Sequence, residues 1–256
     1  MRLARSVLGG EGLAELRRFV TSERCLIALD FDGTLAPIVD NPNHAALNTE
    51  VETELRRLAR ECEILILTGR SIADVRQRVP NEVKCILGNH GLEGSQRVTS
   101  EMLLVARETT QKWLDALRLR FAKDKRFVME DKEYSLAIHF RRALIKKRAR
   151  FLAQSEARML TPPALILDGK CVVNVIPPGL PDKYLALSSF MEDFGFQKAV
   201  FVGDDITDNQ IFRAKDSRIL CVKVGQVRDL TAPWYLQHQA LIVDFVRVVT
   251  LMKTAV

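Results

Sequence analysis

The sequence predicts an α/β protein, a Rossmann-like doubly wound parallel sheet with an α+β layer inserted into it. Three observations carry this reading. Short apolar runs at 25–29, 64–67, 84–87 and 198–202 alternate with stretches of helical periodicity, as expected of strands buried on both faces of a parallel sheet. Each run ends in a polar or acidic loop, and open α/β sheets bind ligands beyond the carboxyl ends of their strands. Between about 95 and 177 the texture changes to long helices and short meander strands, which reads as a separate layer. The expected division is therefore 1–94 plus 178–256 for the core and 95–177 for the insert.

In chain order, 11–20 is expected to be a short helix feeding the first strand, 25–29. That strand runs into Asp30-Phe31-Asp32-Gly33-Thr34. Two carboxylates two residues apart on extended backbone repel unless a cation lies between them, and Mg²⁺ is the hard, oxygen-seeking candidate. Gly33 permits a sharp turn and Thr34 adds a hydroxyl. Read alone, the same residues also suit an ordinary strand-terminating turn. A turn cluster at Asp40-Asn41-Pro42-Asn43 follows, and Asn48 is the expected N-cap of a helix to about Arg60, with Val51, Leu55 and Leu58 on its apolar face. The run 64–67 ends in Thr68-Gly69-Arg70-Ser71. Ser71 and Asp74 have capping-box spacing, so Thr68 is expected in a loop entering a helix, where free amides favour an anion such as phosphate. The run 84–87 leads to Gly88-Asn89-His90-Gly91.

In the insert, a helix over about 101–121, strands near 126–130 and 134–140, and a basic helix over about 142–159 are expected. Glu130 and Lys132 are two apart on an expected strand and so share a face. A hairpin of 164–167 with 171–176 is expected to turn at Asp168-Gly169. The run Lys146-Lys147-Arg148-Ala149-Arg150 reads as a solvated helix face. Pro177-Pro178-Gly179 is a natural boundary. Then come a helix over 182–194, the strand 198–202 and a second acidic cluster, Gly203-Asp204-Asp205-Ile206-Thr207-Asp208. Carboxylates packed this densely beyond an apolar strand require a cation or solvent. Thr207 and Gln210 are expected to cap the next helix, with Asp208 in its first turn. A strand at 219–224, a loop around Gly225 and a helix after Asp244 complete the reading.

The 256 residues are 47% apolar and 27% charged, with net charge +6. That excludes a disordered or fibrous chain. Five scattered cysteines argue against a disulfide framework or a zinc site. No signal-peptide core or spanning stretch is evident, so a cytoplasmic protein without membrane contact is expected. The positive charge, without a nucleic-acid-binding motif, fits a small anionic substrate rather than nucleic acid. A monomer or weak oligomer is expected.

The ordered set of Asp30/Asp32, Thr68, an inserted layer, Lys183 and the 203–208 cluster resembles the haloacid dehalogenase superfamily of phosphotransferases. Within it, the chain is most similar to trehalose-6-phosphate phosphatases. The similar stretches are Asp30 to Ile38, Thr68-Gly69-Arg70, Gly88 to Glu93, Glu130 to Arg141, Asp182-Lys183 and Gly203 to Asp208. The resemblance implies Mg²⁺-dependent hydrolysis of trehalose 6-phosphate through an aspartyl-phosphate. Asp30 would be the nucleophile, and Asp32 the general acid and then base. Thr68 and Lys183 would grip the phosphoryl oxygens. Asp30, the Asp32 carbonyl and Asp204 would hold the metal, with Asp205 and Asp208 behind them. It also implies that Gly69, Arg70, His90, Glu130, Lys132 and Asn174 face the substrate, and that the insert is a cap closing over the core. His139 reads instead as an interior histidine. The chain departs from the family pattern in four places. Asn174 stands where a sugar-contacting Glu is usual and Ile176 where an Arg is usual; Tyr184 replaces a Gly, and Asn209 a Glu. The first two motivate an alternative, the same chemistry on another glycosyl or pseudo-sugar phosphate. A non-catalytic sugar-phosphate sensor is the reading from a different class, opposed by the presence of Asp30, Asp32, Lys183 and Asp204.

Overall fold

The computed structural model describes residues 4–39, 41–169, 171–225 and 231–255. Asp40 of the expected turn cluster and residues 226–230 of the loop after Gly225 lie outside these. The described chain divides into two compact units, 1–95 with 182–256, and 96–181.

The elements of the first unit, up to the insert, are β1 (Arg5–Ser6), α1 (Gly10–Val20), β2 (Cys25–Leu29), α2 (Thr49–Glu61), β3 (Ile64–Leu67), α3 (Ile72–Arg76) and β4 (Cys85–Leu87). The second unit contains α4 (Ser100–Phe121), β5 (Val128–Asp131), β6 (Leu136–His139), α5 (Lys146–Arg158), β7 (Leu165–Gly169) and β8 (Val172–Ile176). The chain then returns to the first unit with α6 (Lys183–Asp193), β9 (Lys198–Gly203), α7 (Asn209–Ala214), β10 (Ile219–Val224), β11 (Trp234–Leu236) and α8 (Ile242–Thr254).

The first unit is built on a parallel sheet of order β1-β11-β10-β9-β2-β3-β4. Alternate strand residues feed two separate apolar cores. Ile27, Leu29, Ile66, Val200 and Val202 pack on one face with α1, α2 and α8. Leu26, Ala28, Leu65, Ala199 and Phe201 pack on the other with α6 and α7. Both faces being covered explains why these strands are continuously apolar in sequence. Asn48 caps α2 as expected, its Oδ1 accepting from the Val51 amide at 2.8 Å.

The second unit is an antiparallel sheet of order β5-β6-β8-β7. Leu136, Ile138, Val173 and Val175 pack with α4 and α5 around Trp113, Leu117 and Phe140. The hairpin turn differs from expectation. Asp168 and Gly169 are strand residues paired with Val173 and Val172, so the chain reverses after Gly169, and Cys171 takes φ +62°. Asp168 is kept in the strand by Gln154, whose Nε2 donates to both its carboxylate oxygens at 2.8 and 2.9 Å. A second difference lies at α7, where Asp208 rather than Thr207 occupies the N-cap position and makes no side-chain cap. Its carboxylate is used elsewhere.

Candidate active site

The strand order reverses between β2 and β9, with Leu29 opposite Val202 and the Asp30 amide bonded to the Val202 carbonyl at 2.9 Å. Both acidic loops therefore leave the sheet side by side, at the switch point where open α/β sheets place ligands. Carboxylate oxygens of Asp30, Asp204 and Asp208 lie within 4.8 Å of one another. Two glycines allow this convergence. A Cβ at Gly33, which has φ +83°, would fall 2.2 Å from Asp204 Oδ2, and one at Gly203 would fall 2.4 Å from Asp208 Oδ2. Gly33→Ala is accordingly expected to displace Asp204 and to weaken the hold of this acidic cluster on a divalent cation by about tenfold or more. Calorimetric titration of the metal checks this.

Lys183 opens α6 and is 1% exposed. Its Nζ donates to Asp30 Oδ1 at 2.8 Å and to Asp208 Oδ1 at 2.7 Å, and its amide donates to Gln210 Oε1 at 3.2 Å. The other Asp208 oxygen accepts from the Asp205 amide at 2.9 Å. Asp208 thus shares the lysine ammonium with Asp30. Burial pushes the Asp30 carboxyl up to about 7; Lys183 pulls it the other way, and Asp208 and Asp32 add to the rise. Burial alone lowers Lys183, but Asp208 and Asp30 more than offset this and hold it well above its ordinary range. One ammonium does not neutralise three clustered carboxylates. An all-oxygen donor set with surplus negative charge fits a hard divalent cation such as Mg²⁺, with Asp30 and Asp204 as its natural ligands.

Asp32 is turned differently. Arg70 Nε and Nη2 grip its two carboxylate oxygens at 2.6 and 2.7 Å. Arg70 is 7% exposed and also donates to Asp74 at 2.7 Å and to the Pro42 carbonyl at 2.8 Å. Asp74 is held in turn by Arg78 at 2.6 Å. Arg70, expected at the substrate, is therefore the anchor of Asp32. The sequence signal for this was weak, because Asp32 and Arg70 lie 38 residues apart and meet only through tertiary contact.

β3 adjoins β2 with Leu29 opposite Ile66, which brings Thr68 to the same end of the sheet as Asp30. Its hydroxyl accepts from the Arg70 amide at 3.2 Å. The helix after it has only five residues. Its Ile72 amide is taken by Glu93 Oε2 at 2.7 Å and its Asp74 amide by Ser71 Oγ at 3.3 Å. Thr68 is thus presented by the loop itself and not by a long helix dipole. Gly69 lies against the His90 ring, where a Cβ would come within 2.5 Å of Cε1. His90 follows Asn89 in left-handed backbone, at φ +61° after +48°, and its amide donates to the Thr68 carbonyl at 2.8 Å.

In the second unit, Glu130, Ala137 and Asn174 align across β5, β6 and β8. Glu130 Oε2 lies 2.7 Å from His139 Nε2, so that half-buried histidine is satisfied, as expected. Lys132, one residue beyond β5, donates to Asn174 Oδ1 at 3.4 Å. Where the family pattern has Glu, Asn209 takes Lys223 Nζ at 3.3 Å and the Thr231 hydroxyl at 3.2 Å.

The sequence profile of the trehalose-phosphatase family matches residues 28–237, a span covering every one of these positions. The chain belongs to the trehalose-phosphatase family. The family member is 28% identical over 239 residues to a trehalose-phosphate phosphatase of Mycobacterium ulcerans, matching 88% of this chain and 61% of that protein. It is 30% identical over 216 residues to an uncharacterised glycosyl hydrolase of Mycobacterium tuberculosis, matching 78% of this chain but only 16% of that protein. The chain thus spans less than two thirds of the length of these relatives. Among solved structures, the C-terminal domain of Candida albicans trehalose-6-phosphate phosphatase shares the fold, with TM-score 0.78, 20% identity and 99% of each chain covered. Among the described residues, no helix is long and apolar enough to cross a membrane.

Proposed function

We propose that this trehalose-phosphatase family member is a Mg²⁺-dependent phosphatase that releases phosphate from trehalose 6-phosphate through an aspartyl-phosphate. The observation that carries the reading is the buried Asp30, held by Lys183 and faced by Asp204 and Asp208 at the switch point of the sheet.

When bound, the cation supplies charge neutralisation for Asp30 and the phosphoryl oxygens. The rest is the work of side chains. An Asp30 oxygen attacks phosphorus; the new O–P bond forms as the bond to the sugar oxygen breaks. Asp32 carries a proton on the oxygen that Arg70 yields when substrate enters, gives it to that leaving oxygen, then takes one from the water that attacks phosphorus and returns Asp30 as a carboxylate. Lys183, already bonded to Asp30, and the Thr68 hydroxyl steady the transferring oxygens. Asp205 and Asp208 act through Lys183 and the acidic loop. Gly69 and His90 shape the wall beside Thr68. Arg70 sets the plane of the Asp32 carboxylate. Arg70→Ala is expected to lower kcat by about 10–100-fold with KM changed less than threefold or so. A large rise in KM with kcat intact would instead make Arg70 a substrate ligand.

Glu130, Lys132 and Asn174 offer both donors and acceptors to sugar hydroxyls. Asn174 is also the observation favouring a second reading, another glycosyl or pseudo-sugar phosphate. Its amide, engaged by Lys132, presents no negative charge. The deciding experiment is phosphate release from a panel of sugar phosphates, with Mg²⁺ and with EDTA. A Mg²⁺-dependent preference for trehalose 6-phosphate supports the first reading, and a preference for a different sugar supports the second. No release from any member rejects the phosphatase assignment.

A further inference from the structure

The solvent face of α5 in the second unit sets cations beside exposed apolar side chains. From Tyr134 to Ser155 the chain carries no Asp or Glu, while Arg141, Arg142, Lys146, Lys147, Arg148 and Arg150 fall within it. The helix is anchored by Ala149, Ala153 and Ala157, all buried at one-turn spacing. Lys147, Arg148 and Phe151 lie on the opposite stripe by their i, i+1 and i+4 spacing, and Leu144 lies in the loop just before the helix. Leu144 is 100% exposed, Phe151 67%, Ile145 63% and Met159 62%. Arg150 is drawn aside to Asp168 and the Phe140 ring, and Lys146 to the Ala143 carbonyl. Arg142, Lys147, Arg148 and Arg158 remain exposed beside the apolar side chains. Three of the cations crowd the first turn of α5, the positive end of its dipole, where acidic residues are the stabilising choice.

We propose that this face binds the surface of an anionic lipid bilayer, with Leu144, Ile145 and Phe151 entering the headgroup boundary and the cations meeting lipid phosphates. Basic side chains interleaved with exposed large apolar ones are the composition of interfacial helices. Each cation near an anionic leaflet contributes enough for a cluster of four to matter. The helix does not span the bilayer; it lies on it. A second copy of this chain is a poor occupant, because a two-fold contact sets the cations against their own images. Nucleic acid matches the charge, but gains nothing from Leu144, Ile145 and Met159.

The test is co-sedimentation of the full chain with phosphatidylcholine vesicles, with and without an equal share of phosphatidylglycerol, at low and high salt. Binding only to the anionic vesicles, weakening with salt, is expected. Lys147→Glu/Arg148→Glu should reduce it by about tenfold or more, and Leu144→Ser/Phe151→Ser by about fivefold or more. The urea unfolding midpoints of both variants should match wild type, which shows that they fold and keeps this test independent of the phosphatase reading. Failure to bind anionic vesicles at low salt overturns the proposal. So does binding indifferent to Leu144→Ser/Phe151→Ser, which marks a purely electrostatic surface, or displacement of the vesicles by an equal charge of oligonucleotide.

Discussion

Asp30→Asn is expected to abolish phosphate release, by at least about 10⁴-fold in kcat, and at the same time to stabilise the metal-free protein at neutral pH. Both effects come from one geometry. The carboxylate is 5% exposed and shares Lys183 with Asp208. Burial raises its native pKa to about 7 from an ordinary value of 3.8. Between those two pH values the folded chain keeps a proton that the unfolded chain has lost. The unfolded state then binds fewer protons, so stability falls as pH rises from about 4 to about 7. Asparagine has no proton to lose and escapes that fall. In EDTA the two proteins should unfold at similar urea midpoints near pH 4, and the variant should be the more stable near pH 8, by on the order of a few kcal/mol. Saturating Mg²⁺ should close the gap by stabilising wild type alone. Equal midpoints at pH 8 in EDTA count against a desolvated Asp30, and retained turnover removes it as nucleophile.

The parts of the fold legible in the sequence were those whose physics is local. The strands 25–29 and 64–67 match β2 and β3 because burial on both faces leaves an unbroken apolar run. Asn48 was readable because an N-cap acts within one turn. β11 was not, since Trp234–Leu236 is short and is defined by pairing with β1 and β10. Asp168-Gly169 looks like a turn by propensity, yet Gln154 from α5 holds Asp168 in the ladder, so a tertiary contact overrides the local preference. The same division runs through the site. Asp30 and Asp204 announce themselves by clustering beyond apolar strands, whereas Lys183, at the start of a helix, was reached only through the family resemblance. The seat of Asp32 on Arg70, which also holds the Pro42 carbonyl, joins residues that the sequence sets far apart, while Asp74 and Arg78 brace Arg70 from within its own stretch.

Lys183→Met should damage both stability and activity, and a second substitution should separate the two. Methionine fills similar volume but leaves Asp30 and Asp208, 5% and 0% exposed, facing each other without the ammonium that bridged them. Removing one member of a buried ionic cluster costs about 3–5 kcal/mol. The loss should be greatest in EDTA near pH 8, and should shrink in acid as the carboxylates take up protons in the folded state. It should also shrink in Mg²⁺, which replaces part of the missing charge. Adding Asp208→Asn removes one of the two stranded carboxylates, and is expected to restore more than half of the lost stability in a urea titration. It should restore no turnover, because the positive charge that steadies the phosphoryl oxygens is still absent; kcat should stay at least about 10³-fold below wild type in both variants. A double variant that recovers activity with stability reduces Lys183 to a structural counter-ion. Recovery of stability alone shows that the same ammonium has two separable tasks, holding the acidic cluster together and meeting the phosphate.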